Sequence, residues 1–380
     1  MGAGGDILVL NAGSSSIKFA VFDAGMIRRH TGVAEIGDAS SLQFDGARDD
    51  LPLADHGAAL SAILGRLAAA GVGLADLRAA AHRVVHGGRD ITGPRLLDAG
   101  VLAQIRGCIP LAPLHNPHNL AAIEAVAALA PGLAQCASFD TGFHTTNPEV
   151  ALRYAIPDAE AAKGIRRYGF HGTSFAGLVA RLPQISGADL PSRLLALHLG
   201  NGASLCAIRD GQSVANTMGY SPLDGLTMGT RSGAIDGNAV LRLAADHGVE
   251  GAARILNHES GLLGLGGVSD MRALHAAGTE AAEFAVSHFC YWIVRHAGSM
   301  IAAMGGLDSI AFTGGIGEND VAVRLAVLRG LNWLGIAIDE AGNAAGAAQL
   351  HREGSSVTAW IVPADEERQI ALEARAVLSG

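Results

Sequence analysis

The chain has 380 residues, of which 49% are hydrophobic and only 4% aromatic, and its formal net charge is −9. That length points to two domains with a sizeable core, packed mainly by Ala, Leu, Val and Gly. The acidic balance excludes a general nucleic-acid binder, which needs a basic stripe, but leaves room for a small anionic substrate met by a local group of arginines.

The opening "MGAGGDILVL" has no basic leader region and too short an apolar run for a signal peptide. Gly2 is followed by Asp6 where myristoylation wants Ser or Thr. Strands are predicted over 7–10 and 17–22, joined by the small polar turn of "NAGSSS" and followed by a turn at 23–25. This is no Walker loop, since the G-x-x-x-x-G-K-[ST] spacing is absent. Two readings stand for it at this point: an ordinary polar hairpin, or a turn kept small for a phosphate. Periodicity predicts a helix over 56–70, then a strand in "LRAAAHRVVHGG" that empties into a glycine loop. "NPHNLAAIEAVAALAPG" is a helix with both ends marked, and "AQCASFDTGFH" a strand ending in a polar loop. Asn147-Pro148 breaks the pattern, so the domains are divided there.

Residues 194–212 then repeat the opening: apolar strand, small polar turn, apolar strand, Asp-containing turn. Gly200 stands to Asp210 as Gly13 stands to Asp23. This predicts two related domains, each opening with a hairpin whose turn faces a shared cleft. Residues 284–306 are helical, with apolar faces broad for one core. A third strand-to-glycine junction lies at 309–319, before another helix. The run "ADEERQIALEARAVLSG" reads as a helix with acid at its start. Mixed strands and helices throughout predict an α/β class.

Polar glycine turns after apolar runs therefore occur at 10–16, 198–204 and 313–319, where backbone N–H groups can approach phosphate oxygens. Arg83 in "AHRVVHGG", Arg231 in "MGTRSG" and His171 in "FHGTS" are fixed donors suited to a phosphoryl group in flight. Lys18 is one of only two lysines. Asp140, Glu366 and Glu367 supply carboxylates, and Mg²⁺ needs few of them. Zinc is not expected: there is no H-E-x-x-H, and His82 and His86, i and i+4 in a strand-like run, are not opposed as ligands. Cys108, Cys136, Cys206 and Cys290 are far apart in apolar surroundings, which reads as reduced thiols in a cytoplasmic protein. No apolar run is long enough for a membrane span.

The motifs "VLNAGSSSIKF", "HRVVHGG", "PLHNPHN", "FDTGFH", "RYGFHGTS", "HLGNGASL", "MGTRSG", "SDMR", "TGGIGEN" and "DEE" occur in that order from Leu8 to Glu367. Together they resemble the acetokinase family, within the acetate and sugar kinase, heat-shock chaperone and actin superfamily. The resemblance implies a two-domain actin-like ATPase (ribonuclease H-like) fold, with duplicated βββαβαβα cores and a cleft between them. It divides the chain into residues 1–147, completed by a helix at 366–380, and residues 148–365, which carry the nucleotide and the dimer contact. The implied activity is reversible transfer of the ATP γ-phosphoryl group to acetate, giving acetyl phosphate and ADP. Mg²⁺ is the implied ion, with Mn²⁺ as the alternative.

Carried onto this chain, the resemblance implies that Asn11 and Glu366 hold the metal and Lys18 lies near the phosphates. Arg83 holds the substrate carboxylate; Val85, Leu114, Phe170 and Pro222 shape the methyl pocket, and His115 adds a donor. Arg231 and His171 stabilise the transferring group. His198, Leu199, Gly200, Asn201 and Gly202, with Gly315, Ile316, Gly317, Glu318 and Asn319, line the nucleotide, and Asp270, Met271 and Arg272 the adenosine. Acetate is already ionised at neutral pH, its pKa being close to the ~4.3 of Glu. Asp140 is therefore read as an orienting or metal-shell carboxylate, not a general base. Three departures stand out. Ala234 and Gly237 occupy positions where the family has Asp and Pro, and Met271 one where it has Phe. The alternatives are a propionate or butyrate kinase, and a non-kinase ATP-binding protein of the actin and chaperone type. The resemblance also implies a homodimer, with neither nucleic acid nor membrane as partner.

Overall fold

The computed structural model describes residues 5–379, so the reading made on Gly2 lies outside them. The chain forms two compact units. Unit 1 takes residues 5–143, 172–177 and 365–379; unit 2 takes 144–171 and 178–364.

Unit 1 is built on β1 (Asp6–Ala12), β2 (Ser16–Phe22), β3 (Arg28–Glu35), β4 (Ser41–Phe44), β5 (Ala47–Asp50), β6 (Leu77–Val84), β7 (Arg95–Leu96) and β8 (Ala134–Phe139). They form one sheet in the order β5-β4-β3-β2-β1-β6-β8-β7. The first five strands make an antiparallel meander, and β6 and β8 run parallel to β1. "DILVL" is buried at every position because β1 lies in the middle of the sheet with both faces covered. The strand period of two then splits its side chains between two cores. Leu8 and Leu10 pack with Leu60, Ile63, Ala122 and Val126 from the helices His56–Ala69 and Asn116–Leu129. Ile7 and Val9 pack with Ile370, Ala371 and Ala374 of the helix Glu366–Val377. Each fully buried Leu, Ile or Val contributes about 1.5–3 kcal/mol. Asp55 caps the first of these helices by accepting from the Ala58 N–H, and Pro117 sits in the first turn of the second, where its missing N–H costs nothing.

Unit 2 contains β9 (Arg193–Leu199), β10 (Ala203–Arg209), β11 (Gln212–Asn216), β12 (Ser309–Thr313) and β13 (Thr358–Ile361), in the order β11-β10-β9-β12-β13. Three antiparallel strands are followed by two parallel ones. This repeats the β3-β2-β1-β6-β8 portion of unit 1, so the sequence echo is an echo of topology. The helix Glu280–Met304 is capped by Thr279 and buries Ala285, Phe289, Ile293, Ala297 and Ile301 along one stripe. Its other face leaves Phe284 56% and Tyr291 63% exposed.

Two local expectations are corrected. Residues 313–319 are not an open polar turn: Gly314–Asn319 is helical from the end of β12 onward. Gly314 makes the entry at φ +79°, where a Cβ would stand 2.7 Å from the Leu199 carbonyl, and the Glu318 carboxylate accepts from the Gly314 N–H at 2.9 Å. His82 and His86 do not share a strand, since β6 stops at Val84. The His82 Nε2 lies 2.7 Å from the Gln135 side-chain oxygen, and burial pushes the imidazole down to about 4, against the pull of that hydrogen bond. Among the described residues no helix is long and apolar enough to cross a membrane.

Candidate active site

In unit 1 the polar groups gather at the end of β6 and β8. Arg83 is clamped by Asp140, with Nε donating to Oδ1 at 2.9 Å and Nη2 to Oδ2 at 2.5 Å. Its Nη1 donates to the Asn11 Oδ1 at 3.2 Å, and Glu366 lies 3.8 Å from its Nε. Burial opposes the charge on Arg83, but Asp140 and then Glu366 outweigh it and hold the guanidinium protonated, above its ordinary range. Burial raises the Glu366 pKa, with Arg83 acting against the rise. The clamp leaves one hydrogen on each terminal nitrogen of the Arg83 fork for an external acceptor. Asp140 is only 2% exposed. Its second support is Thr173, whose hydroxyl donates to Oδ1 at 3.2 Å. Lys18 is exposed and directly opposite Asn11 in the β1–β2 register. Val85 and His115 are half-buried, and Leu114 is 49% exposed. The oxygen donors here, an amide and carboxylates without sulfur or imidazole, suit a hard divalent cation.

In unit 2 a second group surrounds Gly202. A Cβ built there would lie 2.8 Å from the Arg231 Nη2 and 3.2 Å from the His171 Nε2, so both side chains converge on the glycine backbone. His171 adopts φ 58° at the start of the helix Gly172–Ser186. Its Nδ1 is 2.9 Å from the Ser204 hydroxyl, and its ring lies 4.1 Å from that of His198. The Arg231 Nη1 donates to the Pro222 carbonyl at 2.6 Å. Burial lowers the Arg231 pKa to about 10, which leaves it charged at neutral pH. Among the described residues it has no carboxylate within ion-pair distance. Phe170 is fully buried and Pro222 half-buried in the same unit.

A cavity of about 990 Å³ opens in unit 2. Its lining includes Gly200, Asn201, Asp270, Met271, Arg272, Gly315, Ile316 and Asn319. These residues come from three separate stretches of sequence, and each was expected at a nucleotide. The volume lies at the upper end of the range for small-molecule sites. Leu199 and Gly317 are buried beside it, and Glu318 is turned away, accepting from the N–H groups of Gly314 and Ala364. Asp270 caps the helix Met271–Ala277 and pairs with Arg272 at 2.9 Å. Sequence reasoning gave no role to Thr173 and Ser204, although both lie inside motifs it had marked, "HGTS" and "GASL".

The sequence pattern of the acetokinase family matches residues 6–372. A protein named acetate kinase from Nitrobacter hamburgensis is 42% identical, across 96% of this chain and 94% of its own length. The crystal structure of Porphyromonas gingivalis acetate kinase superposes with a TM-score of 0.91 at 36% identity, over 98% of this chain and all of that one. A propionate kinase from Francisella tularensis gives 0.92 at 35% identity, over 97% and 98%. The duplicated sheets are those of the actin-like ATPase fold that these structures share. With the match running from β1 to the helix Glu366–Val377, and taking in both groups of polar side chains, the chain belongs to the acetokinase family.

Proposed function

We propose that the chain is an acetate kinase: it transfers the ATP γ-phosphoryl group directly and reversibly to acetate, giving acetyl phosphate and ADP, with Mg²⁺ as its ion. The observation that carries this reading is Arg231, a half-buried guanidinium with no carboxylate partner among the described residues, which converges with His171 on Gly202. A buried charge is costly unless something pairs it, and the equatorial oxygens of a transferring phosphoryl group are such a partner.

An acetate oxygen attacks the γ-phosphorus. The new O–P bond forms as the bond to the β–γ bridging oxygen breaks, and that electron pair leaves with ADP. No proton moves, so no general base is needed. Arg83, held flat by Asp140, offers its remaining hydrogens to the acetate carboxylate and so fixes the line of attack. Val85 and Leu114 of unit 1, with His115 as a further donor, are read as the methyl side of the acetate site, and Phe170 and Pro222 of unit 2 keep the role that the family resemblance implies for them. Arg231 and His171 are placed in advance where negative charge accumulates. Asn11 and Glu366 would hold Mg²⁺, Glu366 through water; when bound, the ion neutralises charge on the β- and γ-phosphates. Lys18 adds charge beside Asn11. The small polar turn of the opening is then kept small for phosphate. A propionate kinase is the second reading, favoured by the similarity to the Francisella protein, since one methylene in an apolar pocket is worth only about 1–3 kcal/mol. The reading also places the enzyme in the cytoplasm, with its four buried thiols free, and pairs two copies through the exposed face of Glu280–Met304.

The test is a coupled assay with acetate, propionate and butyrate on the parent chain and on Arg83→Ala and Arg231→Ala. Arg231→Ala is expected to lose about 10²–10³ in kcat, and Arg83→Ala to raise the KM for acetate. Full activity in both variants overturns the assignment. ATP turnover indifferent to acetate favours an actin-like binding protein instead.

A further inference from the structure

The two asparagines of "HNPHN" are absorbed by none of the roles above, yet both are buried: Asn116 completely, and Asn119 to 3% exposure. They lie three apart on the first turn of Asn116–Leu129, so they face the same way. The parallel ladder between β1 and β6 ends at the pair Leu10–His82. Past it lie the groups of the unit 1 site, Asn11 on β1, Arg83 on β6 and Val85 just beyond β6, which the β1–β6 register does not pair with one another. Asn119 fills that gap. Its Nδ2 donates to the Ala12 carbonyl at 2.7 Å, and its Oδ1 accepts from the Val85 N–H at 3.0 Å. One side-chain amide thus stands in for the next peptide of the ladder. Asn116 holds the residue after Val85 without bridging to β1, accepting from the His86 N–H at 3.1 Å and donating to the His86 carbonyl at 3.0 Å. The neighbouring Gly13 carbonyl is met by the His56 Nε2 at 2.7 Å, and the His56 ring stacks on that of His118, from the same motif.

We propose that Asn119 is a positioning residue that sets the spacing between the metal-side Asn11 and the carboxylate-side Arg83 and Val85. This rests on the functional reading above and adds to it a residue that touches neither substrate nor metal. The two arms of the amide have separable consequences. The Oδ1 arm fixes the carboxylate side. The Nδ2 arm fixes the metal side.

Asn119→Ala removes both arms and Asn119→Asp only the donor. In Asn119→Ala, kcat/KM for acetate is expected to fall about 10–100-fold, ADP affinity by calorimetry to stay at the parent value, and amide exchange at Val85 to accelerate. In Asn119→Asp, Val85 stays protected and the KM for acetate stays near the parent value. There kcat falls, and the Mg²⁺ concentration for half-maximal rate rises. Parent kcat/KM for acetate in Asn119→Ala, or unchanged Val85 exchange, overturns the proposal. If Asn119→Ala does not fold, unchanged kcat and Mg²⁺ requirement in Asn119→Asp overturn it. Arg83→Ala and Arg231→Ala are run alongside: full activity in both sinks the functional reading itself, whereas a raised KM for acetate in Arg83→Ala beside a fully active Asn119→Ala sinks this inference alone.

Discussion

Gly202 is a position chosen for what it lacks. Arg231 and His171 both reach the space that any side chain there would occupy. Gly202→Ala is expected to push the two donors apart by a fraction of an ångström and to cost about 10²-fold in kcat, since displacements of that order are costly to reaction geometry. ADP affinity should change far less, because Gly202 is not among the residues lining the nucleotide-sized cavity; a parent kcat in a folded variant would refute the crowding argument. At this scale the sequence revealed which residues were polar and unusual, but not whom they meet. Arg83 and Asp140 are 57 positions apart, and nothing local to either announces a two-point clamp. Thr173 and Ser204 were equally silent: a hydroxyl in a glycine-rich motif looks the same whether it faces water or a carboxylate.

Among the elements, the helix Gly237–His258 shows how one substitution can be read from its cap. Asp236 stands at φ −61°, ψ 134° and accepts from the Asn238 N–H at 2.8 Å. That extended geometry is the one a following proline demands, and the first helical position is where proline is tolerated best. No atom lies within 4 Å of a Cβ at Gly237. Gly237→Pro, the residue the family resemblance implies there, is expected to stabilise the fold by about 0.4–1 kcal/mol through the unfolded chain. Denaturant unfolding measures it, and a loss of stability would show that the backbone at 237 does not suit proline. The sequence left this segment unread: few of its residues are buried, Ala252 and Leu256 among them, and the helix is broken at Gly248 (φ 72°, ψ 167°). The same holds for β3 and β5, whose mostly exposed, polar residues give no strand alternation. Strands β1, β2, β9 and β10 were legible because both of their faces are covered and their apolar runs are nearly continuous. The helix Gly314–Asn319 was missed because its glycines read as a turn.

For the whole molecule, the duplicated order of strands was foreshadowed by one repeated spacing, while the assignment of late residues to the first unit depends on contacts no local pattern contains. The proposed pairing of two copies follows from the face of Glu280–Met304 that carries Phe284 and Tyr291. A carboxylate placed in the middle of such an interface must be desolvated, so Tyr291→Glu is expected to give a monomer in light scattering where the parent chain gives a dimer. A parent chain that is itself monomeric would refute the pairing.

Unit 1 takes Ile370, Ala371 and Ala374 into the core that covers Ile7, Val9 and Phe22, although residues 178–364 are translated in between. Strands β1 and β2 therefore keep one greasy face uncovered until the helix Glu366–Val377 has emerged from the ribosome. Maturation of this lobe waits on a segment more distant in synthesis than the whole of unit 2, and the nascent chain depends on the helix Glu366–Val377 to shield what β1 exposes.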